Sequence, residues 1–148
     1  MIFEFQGEYR WLSNFAPVKI VLDSIEYTSV EHAYMSAKSK DPVWKRICSD
    51  PDIKPGEIKK RGRYIKLRPD WDSVKLGIMK TCLEQKFNQE PYRTKLKQTS
   101  DENIQEGNWW NDEFWGVNLK KTPNYGENHL GRLIMEIRTK ILFGNPLS

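Results

Sequence analysis

The sequence predicts an α+β fold that is mainly helical, with a small N-terminal hairpin or sheet and several packed helices. Three observations lead to this fold class. Short apolar runs on either side of Asp23-Ser24 predict a two-stranded hairpin. Apolar residues between Trp71 and Phe87 recur at helical spacing, and a second helical pattern runs from about residue 129 to 143. Because the 148 residues contain no repeat or linker-like stretch, we expect a single domain, residues 1–148.

The predicted elements follow one another in a simple order. The chain is expected to open with a strand at residues 2–5, and the hairpin pairs residues 18–22 with 25–27. Helices are predicted at residues 30–38, 43–48, 71–87, 92–98 and 129–143, and a brief strand at 103–106. The helix at 71–87 is assigned to the core, including Leu76 in its apolar stripe. Gly144 and Pro146 are expected to close the last helix.

Composition narrows the classes of function. Hydrophobic residues make up 38% of the chain, charged residues 30%, and no apolar run is long enough to cross a bilayer, so no membrane partner is expected. Glu4 comes early and no basic segment precedes it, which favours a strand over a signal peptide. Cys48, Cys82, His32 and His129 lack metal-ligand spacing, so the sequence predicts no metal or other cofactor and a reducing, cytoplasmic location. The net charge of +4 is a weak indication of phosphorylated ligands or nucleic acid.

The helix predicted at residues 30–38 carries the main candidate for chemistry. On a period of 3.6 residues, Glu31 and Lys38 share one face, with an aromatic or thioether side chain between them. A buried carboxylate and a buried amine are costly unless they are paired, so this face lines either water or a site. The alternative is a Thr-x-x-Glu capping box, in which Thr28 is the N-cap and Lys38 is solvated. The spacing alone supports the two interpretations about equally.

The densest basic run lies at residues 59–68. Such runs are usually solvated surface, and the alternative role is to hold phosphates. Within the run, Arg61, Arg63 and Arg68 are the phosphate candidates.

Tryptophans cluster in the segment 107–116, among Gly and Asn residues. Trp109 and Trp115 are candidates to stack on a flat base, whereas core packing is the preferred interpretation for Trp110. The loop that follows, residues 126–131, has the simple interpretation of a tight turn with Asn128 as the N-cap of the last helix.

Four pieces of the chain, taken in order, resemble the NADAR family, which is also called YbiA-like. They are Leu12-Ser13-Asn14-Phe15, Val30-Glu31-His32-Ala33-Tyr34 with Lys38, Asp112-x-x-Trp115-Gly116, and Gly126-x-Asn128-x-Leu130-Gly131-x-Leu133-x-Met135-x-x-Arg138. The resemblance extends from about residue 3 to 143. Two positions depart from the family pattern. Asn118 ends a Trp-Gly-Val-Asn sequence where the family often has Trp-Gly-Ile-Gly, and Met35 stands where Gln is frequent.

The resemblance implies a single YbiA-like α+β domain, mostly helical, that cleaves N-glycosidic bonds. The implied substrates are ADP-ribosyl or phosphoribosyl compounds, either ADP-ribosylated guanine bases or intermediates of riboflavin synthesis. The expected partner is therefore a small ribosyl or ADP-ribosyl molecule, with ADP-ribosylated nucleic acid as the second candidate.

The implied catalytic residues are Glu31, Lys38 and Asp112. The hypothesis is that Lys38 attacks C1 through a Schiff-base route, while one carboxylate moves protons and the other stabilises the cationic intermediate. The substrate-binding candidates are Asn14, Phe15, Tyr34, Arg63, Glu106, Trp109, Trp115, Gly116, Gly126 and Asn128.

Two other classes of function stay open at this point. One is a non-catalytic module that binds ADP-ribose or a nucleotide, and the other is a basic nucleic-acid-binding protein that uses residues 59–68. The hydrolase is preferred because a carboxylate facing a phosphate is an electrostatic cost that a simple binder of anions avoids. The sequence does not indicate an oligomeric state.

Overall fold

The computed structural model of the protein describes residues 1–144. These residues are mainly helical and include two pairs of short strands, which confirms the predicted α+β class. They divide into two compact units. The hairpin unit is Asn14–Lys86, and the loop unit combines Met1–Ser13 with the described part of Phe87–Ser148. The single domain stays a prediction, and the helix-closing role expected of Pro146 lies outside the described residues.

The hairpin unit begins with the predicted antiparallel hairpin. Strand β1 (Pro17–Leu22) pairs with β2 (Ile25–Ser29). Asp23 and Ser24 both have positive φ, at 50° and 65°, as a two-residue type I′ turn requires. The helices that follow are α1 (Val30–Ser36), α2 (Pro42–Ser49), α3 (Pro55–Arg61) and α4 (Trp71–Phe87), whose last residue belongs to the loop unit.

Ser29, and not Thr28, caps α1. The Ser29 hydroxyl accepts a hydrogen bond from the backbone N–H of His32 at 3.1 Å. The same hydroxyl lies 2.6 Å from His32 Nδ1, and His32 Nε2 lies 2.6 Å from the carbonyl oxygen of Ile53. Because a carbonyl only accepts, Nε2 carries the proton and Nδ1 accepts from Ser29. The backbone N–H of Glu31 donates to a carbonyl outside the helix, so the alternative capping box was wrong.

Several elements differ from the prediction. Helix α3 was not predicted; Pro55 stands in its first turn, where proline fits because its missing N–H leaves no donor unsatisfied. The strands predicted at residues 2–5 and 103–106 reduce to one bridge between Ile2 and Ile104, both in the loop unit. Helix α1 ends at Ser36, so Lys38 lies in the turn after the helix and not on it.

The loop unit contains a 3-10 helix (Gly7–Leu12), α5 (Tyr92–Gln98) and α6 (His129–Leu142). Strand β3 (Gly107–Asn108) pairs in parallel with β4 (Val117–Asn118). Across residues 1–144, no helix has both the length and the apolar character of a membrane span. Within the same residues, no cluster of three His, Cys, Asp or Glu side chains is arranged to hold a metal ion.

Helix α4 has the predicted bounds, but the burial of its side chains does not follow the predicted pattern throughout. Met79, Cys82 and Leu83 are buried, as expected for a core helix. Leu76 is 38% exposed, so its assignment to the core was wrong. Lys86 is 0% exposed, which the helical pattern did not predict.

Burial lowers the pKa of the Lys86 amine from 10.5 to about 7. Between these values the unfolded chain binds the proton and the folded chain releases it, so the stability of the parent rises with pH across this window. We expect the free energy of unfolding of Lys86→Met, minus that of the parent, to fall by about 4 kcal/mol from pH 6.5 to pH 10. Urea unfolding at several pH values measures this difference. The exposed Lys60→Met is the control, and a difference for Lys86→Met that is constant with pH would contradict the lowered pKa.

Candidate active site

Glu31 lies in the first turn of α1 and is only 6% exposed. Its backbone N–H donates to the carbonyl of Asn14 at 3.0 Å, which brings the predicted Asn14-Phe15 pair to the start of α1. The side-chain Nδ2 of Asn14 lies 3.7 Å from the sulfur of Met79, while Oδ1 is buried without a hydrogen-bond donor among the described residues. The hairpin unit therefore places a carboxylate and an amide acceptor at the same end of one helix.

Lys38 is fixed at its backbone on both sides. Its N–H donates to the carbonyl of Met35 at 3.2 Å, and its carbonyl accepts from the N–H of Arg68 at 2.8 Å. The Nζ atom lies 5.8 Å from the centroid of the Tyr34 ring and 6.0 Å from that of Trp71. The two rings are themselves 5.1 Å apart. The amine therefore lies against an aromatic wall, at a distance where a cation is attracted by the rings.

The pKa of Lys38 is lowered, chiefly because the amine is removed from water. The carboxylate of Glu31 raises the pKa, and the positive charges of Lys59 and Lys75 lower it. A lowered pKa increases the fraction of neutral amine near neutral pH, and only the neutral amine is a nucleophile. The site thus combines a buried carboxylate with an amine whose pKa is lowered.

Two arginines of the basic run form ion pairs, and the third is exposed. Arg61 pairs with Glu57 at 3.1 Å, and Arg68 pairs with Asp70 at 2.6 Å. Arg63 is exposed in the turn that follows α3. Binding of phosphate by Arg63 stays a prediction.

In the loop unit, Asp112 shapes the turn that carries Trp115. Its Oδ1 accepts from the N–H of Phe114 at 3.2 Å and from that of Trp115 at 2.9 Å. Its backbone N–H and carbonyl both bond to the side chain of Asn108, at 3.0 Å and 2.8 Å. These contacts give Asp112 a structural role, and its catalytic role stays a prediction.

Asn128 ties the start of α6 to the segment that contains Glu106. Its Oδ1 accepts from the N–H of Glu106 at 3.0 Å, and its Nδ2 donates to the carbonyl of Ile104 at 2.9 Å. Asn128 is the N-cap residue, with φ at 53°, and its side chain makes no capping bond. The predicted position was correct, and the predicted capping bond was wrong.

Gly116 and Gly126 allow three backbone segments to come together. A Cβ on Gly116 would collide with the carbonyl oxygen of Glu106, and a Cβ on Gly126 would collide with that of Gly116. The motif glycines therefore have a structural explanation within the loop unit. Their predicted contacts with substrate stay predictions.

The three tryptophans of the segment 107–116 differ in exposure. Trp109 is 55% exposed and donates from Nε1 to Glu4 at 3.1 Å. Trp110 is 49% exposed, so the core position preferred for it was wrong. Trp115 is half-buried, and its ring meets Phe114 edge-on at 4.9 Å between centroids. Trp109 and Trp115 keep aromatic surface that a base can stack on.

Gly131 and Gly77 form a matched pair of helical glycines. A Cβ on Gly131 would collide with the backbone carbonyl of Ile104, whereas a Cβ on Gly77 would meet nothing within 4 Å. We expect Gly131→Ala to lower the free energy of unfolding by about 3 kcal/mol and Gly77→Ala to raise it by about 0.5–1 kcal/mol. Urea unfolding of both variants tests this contrast, and a stabilised Gly131→Ala would contradict the close packing of α6.

The sequence model described as the NADAR domain matches residues 2–142 of this chain. The chain belongs to the NADAR family. N-glycosidase Npun_R5314 of Nostoc punctiforme is 35% identical over 139 residues, which cover 90% of this chain and 86% of that protein. N-glycosidase YbiA of Escherichia coli is 31% identical over 138 residues, covering 90% of this chain and 82% of that protein.

The NMR structure of E. coli YbiA matches with a TM-score of 0.80 and 28% identity, over 97% of this chain and 84% of that one. The predicted YbiA-like fold is therefore confirmed. Riboflavin biosynthesis protein PYRR of Zea mays is also similar, at 28% identity over 152 residues. That match covers 92% of this NADAR chain and 24% of the longer maize protein.

Asn118 and Met35, the two residues that depart from the NADAR pattern, are both buried, Asn118 in the loop unit and Met35 in the hairpin unit. The Asn118 amide donates to Asn111 at 3.1 Å and to Glu113 at 3.0 Å. The sulfur of Met35 lies 2.8 Å from the position that a Cβ on Gly62 would occupy. Both side chains thus have packing roles that account for their presence.

Sequence reasoning missed three neighbours of Lys38 in this NADAR chain. Trp71 was assigned to the core stripe of α4, and nothing in its spacing distinguishes a ring facing an amine from one facing the core. Lys59 and Lys75 were not singled out; Lys59 lies in the basic run, where the arginines were preferred as phosphate candidates.

Proposed function

We propose that this protein is an N-glycosidase that cleaves the bond between C1 of a ribosyl group and a nitrogen of an ADP-ribosyl or phosphoribosyl compound. The observation that carries the proposal is that a buried carboxylate, Glu31, acts electrostatically on Lys38, an amine of lowered pKa, in a NADAR chain. The names of two relatives, N-glycosidase YbiA and N-glycosidase Npun_R5314, support the same reaction class.

In the first half of the reaction, Lys38 replaces the departing nitrogen. A glycosylamine opens to an imine when its ring oxygen takes up a proton, and the neutral Nζ of Lys38 adds to C1. Glu31 takes a proton from the Nζ and delivers it to the departing nitrogen. The bond from C1 to that nitrogen then breaks, which leaves the free amine and an imine between C1 and Lys38.

In the second half, water restores the enzyme. Water adds to C1 of the Lys38 imine, with Glu31 accepting one of its protons. The bond from C1 to Nζ breaks as Nζ regains a proton, so the sugar leaves as an aldehyde that closes to its ring. The net change is hydrolysis of one N-glycosidic bond, and no external oxidant or reductant is needed.

Side chains of the hairpin unit have complementary binding roles. The buried Oδ1 of Asn14 is an acceptor for a ribose hydroxyl, and the Tyr34 and Trp71 rings face the amine. Stacking of a base by Trp109 or Trp115 and the acid or base role of Asp112 remain part of the proposal.

Mass spectrometry of reaction products tests the proposal. The parent protein is incubated with a phosphoribosylaminopyrimidine and, separately, with DNA that carries ADP-ribosylated guanine. Release of the aminopyrimidine with ribose phosphate, or of ADP-ribose with restoration of unmodified guanine in the DNA, supports the proposal and identifies the substrate branch. Binding of either compound without cleavage would reject the hydrolase in favour of a non-catalytic ADP-ribose or nucleotide binder.

A further inference from the structure

We infer that Lys59 and Lys75 bind the phosphate of the substrate, so that the site around Lys38 selects phosphorylated ribosyl compounds over unphosphorylated ones. The inference rests on the proposed function for the identity of the site. It assigns a specific task to two lysines that neither the NADAR motifs nor the sequence pattern distinguishes.

Lys59 reaches the site from α3. Its Nζ lies 5.9 Å from the centroid of the Phe15 ring. Phe15 follows Asn14, whose carbonyl holds the backbone N–H of Glu31 at 3.0 Å. A short run of contacts therefore connects the Lys59 amine to the start of α1.

Lys75 reaches the site from α4. It lies four residues after Trp71, so the two side chains share one face of the helix. The Trp71 ring is 6.0 Å from the Lys38 amine, which places this face of α4 beside Lys38. Lys75 also approaches Asp72 at 3.3 Å, and because Asp72 is almost fully exposed, that ion pair contributes little energy.

The charges around Lys38 match a phosphate better than a neutral sugar. The charged groups that act on the Lys38 amine are the carboxylate of Glu31 and the two ammonium groups of Lys59 and Lys75. Both ammonium groups act on the Lys38 amine even when that amine is neutral. They attract a phosphate dianion and offset its repulsion from Glu31, whereas an unphosphorylated ribosyl group gains nothing from them.

Calorimetric titration with ribose, ribose 5-phosphate and ADP-ribose tests the inference without relying on turnover. We expect the parent to bind ribose 5-phosphate or ADP-ribose at least about tenfold more tightly than ribose. Whichever of the two phosphorylated ligands binds more tightly shows which phosphate ester the site prefers. The combined Lys59→Gln and Lys75→Gln variant should lose this preference, and Lys60→Gln, an exposed neighbour on α3, should retain it.

The outcomes separate this inference from the proposed function. If the double variant keeps the preference, or if the parent binds ribose equally well, the inference is overturned even when the parent is a hydrolase. If the preference depends on the two lysines and no substrate is cleaved, the inference stands and the hydrolase proposal falls.

A pH profile supplies a second readout that a structural role would not change. Removing two positive charges raises the pKa of Lys38, so the rise of kcat/KM with pH should move to higher pH in the double variant. An unshifted profile would contradict the electrostatic contact between these lysines and Lys38.

Discussion

Replacing Lys38 with alanine or arginine is expected to lower kcat by about 10³-fold or more, the range that removal of a catalytic group typically costs. Alanine removes the amine altogether. Arginine keeps the positive charge and still contacts the Tyr34 and Trp71 rings, and it cannot form a Schiff base. An equal loss in both variants therefore assigns the effect to the nucleophile and not to the charge.

The folding of the Lys38 variants should be unaffected. The hydrogen bonds that hold this turn are made by the Lys38 backbone, which both substitutions keep. Circular dichroism and urea unfolding check this point. Retained turnover in Lys38→Ala would reduce Lys38 to a contact for phosphate or ribose.

The proposed Schiff base is expected to be trapped by chemical reduction. Reduction with borohydride in the presence of substrate or of ribose 5-phosphate should add the mass of the reduced sugar to the parent protein, and peptide mapping should locate it at Lys38. No adduct is expected in Lys38→Arg. An adduct at another lysine would transfer the nucleophile to that residue.

Replacing Glu31 with glutamine is expected to lower kcat by about 10²–10⁴-fold. Glutamine has nearly the same shape and cannot carry protons between Nζ and the departing nitrogen. Glu57→Gln is the matched control, since Glu57 is exposed on α3 and pairs with Arg61. Steady-state kinetics on the three proteins measures the effect, and equal rates in Glu31→Gln and the parent would remove Glu31 from the mechanism.

The residual activity of Glu31→Gln should also have a shifted pH dependence. The Glu31 carboxylate raises the pKa of Lys38, so its loss lowers that pKa. The rise of kcat/KM that reports the neutral amine should therefore move to lower pH in Glu31→Gln. This direction is opposite to the shift expected when Lys59 and Lys75 are replaced.

Elements whose structure is determined by residues adjacent in sequence were predicted correctly in most cases. Asp23-Ser24 formed the expected tight turn, in which both residues have positive φ, and α4 has the predicted bounds, Trp71–Phe87. Helix α3 was missed, although its proline, Pro55, is a residue that favours the first turn of a helix.

The part of the candidate site that could be predicted is the part that depends on spacing within one short segment. Glu31 and Lys38 are seven residues apart, so helical spacing predicted a shared face, although helix α1 ends at Ser36, before Lys38. The Trp71 ring comes from another helix, and a periodic pattern contains no information about which side chain it meets across a packing interface. Asn128 shows the same limit: its capping position was predictable, and its amide bonds to Glu106 and Ile104 depend on tertiary packing.

The aromatic wall beside Lys38 has a consequence for the whole catalytic cycle. Tyr34 and Trp71 attract positive charge through the faces of their rings, whatever group carries that charge. In the proposed reaction, the resting ammonium and the protonated imine place a cation at nearly the same point. The rings therefore favour both cationic species alike, at the start of the cycle before the amine loses its proton and again once the imine has formed.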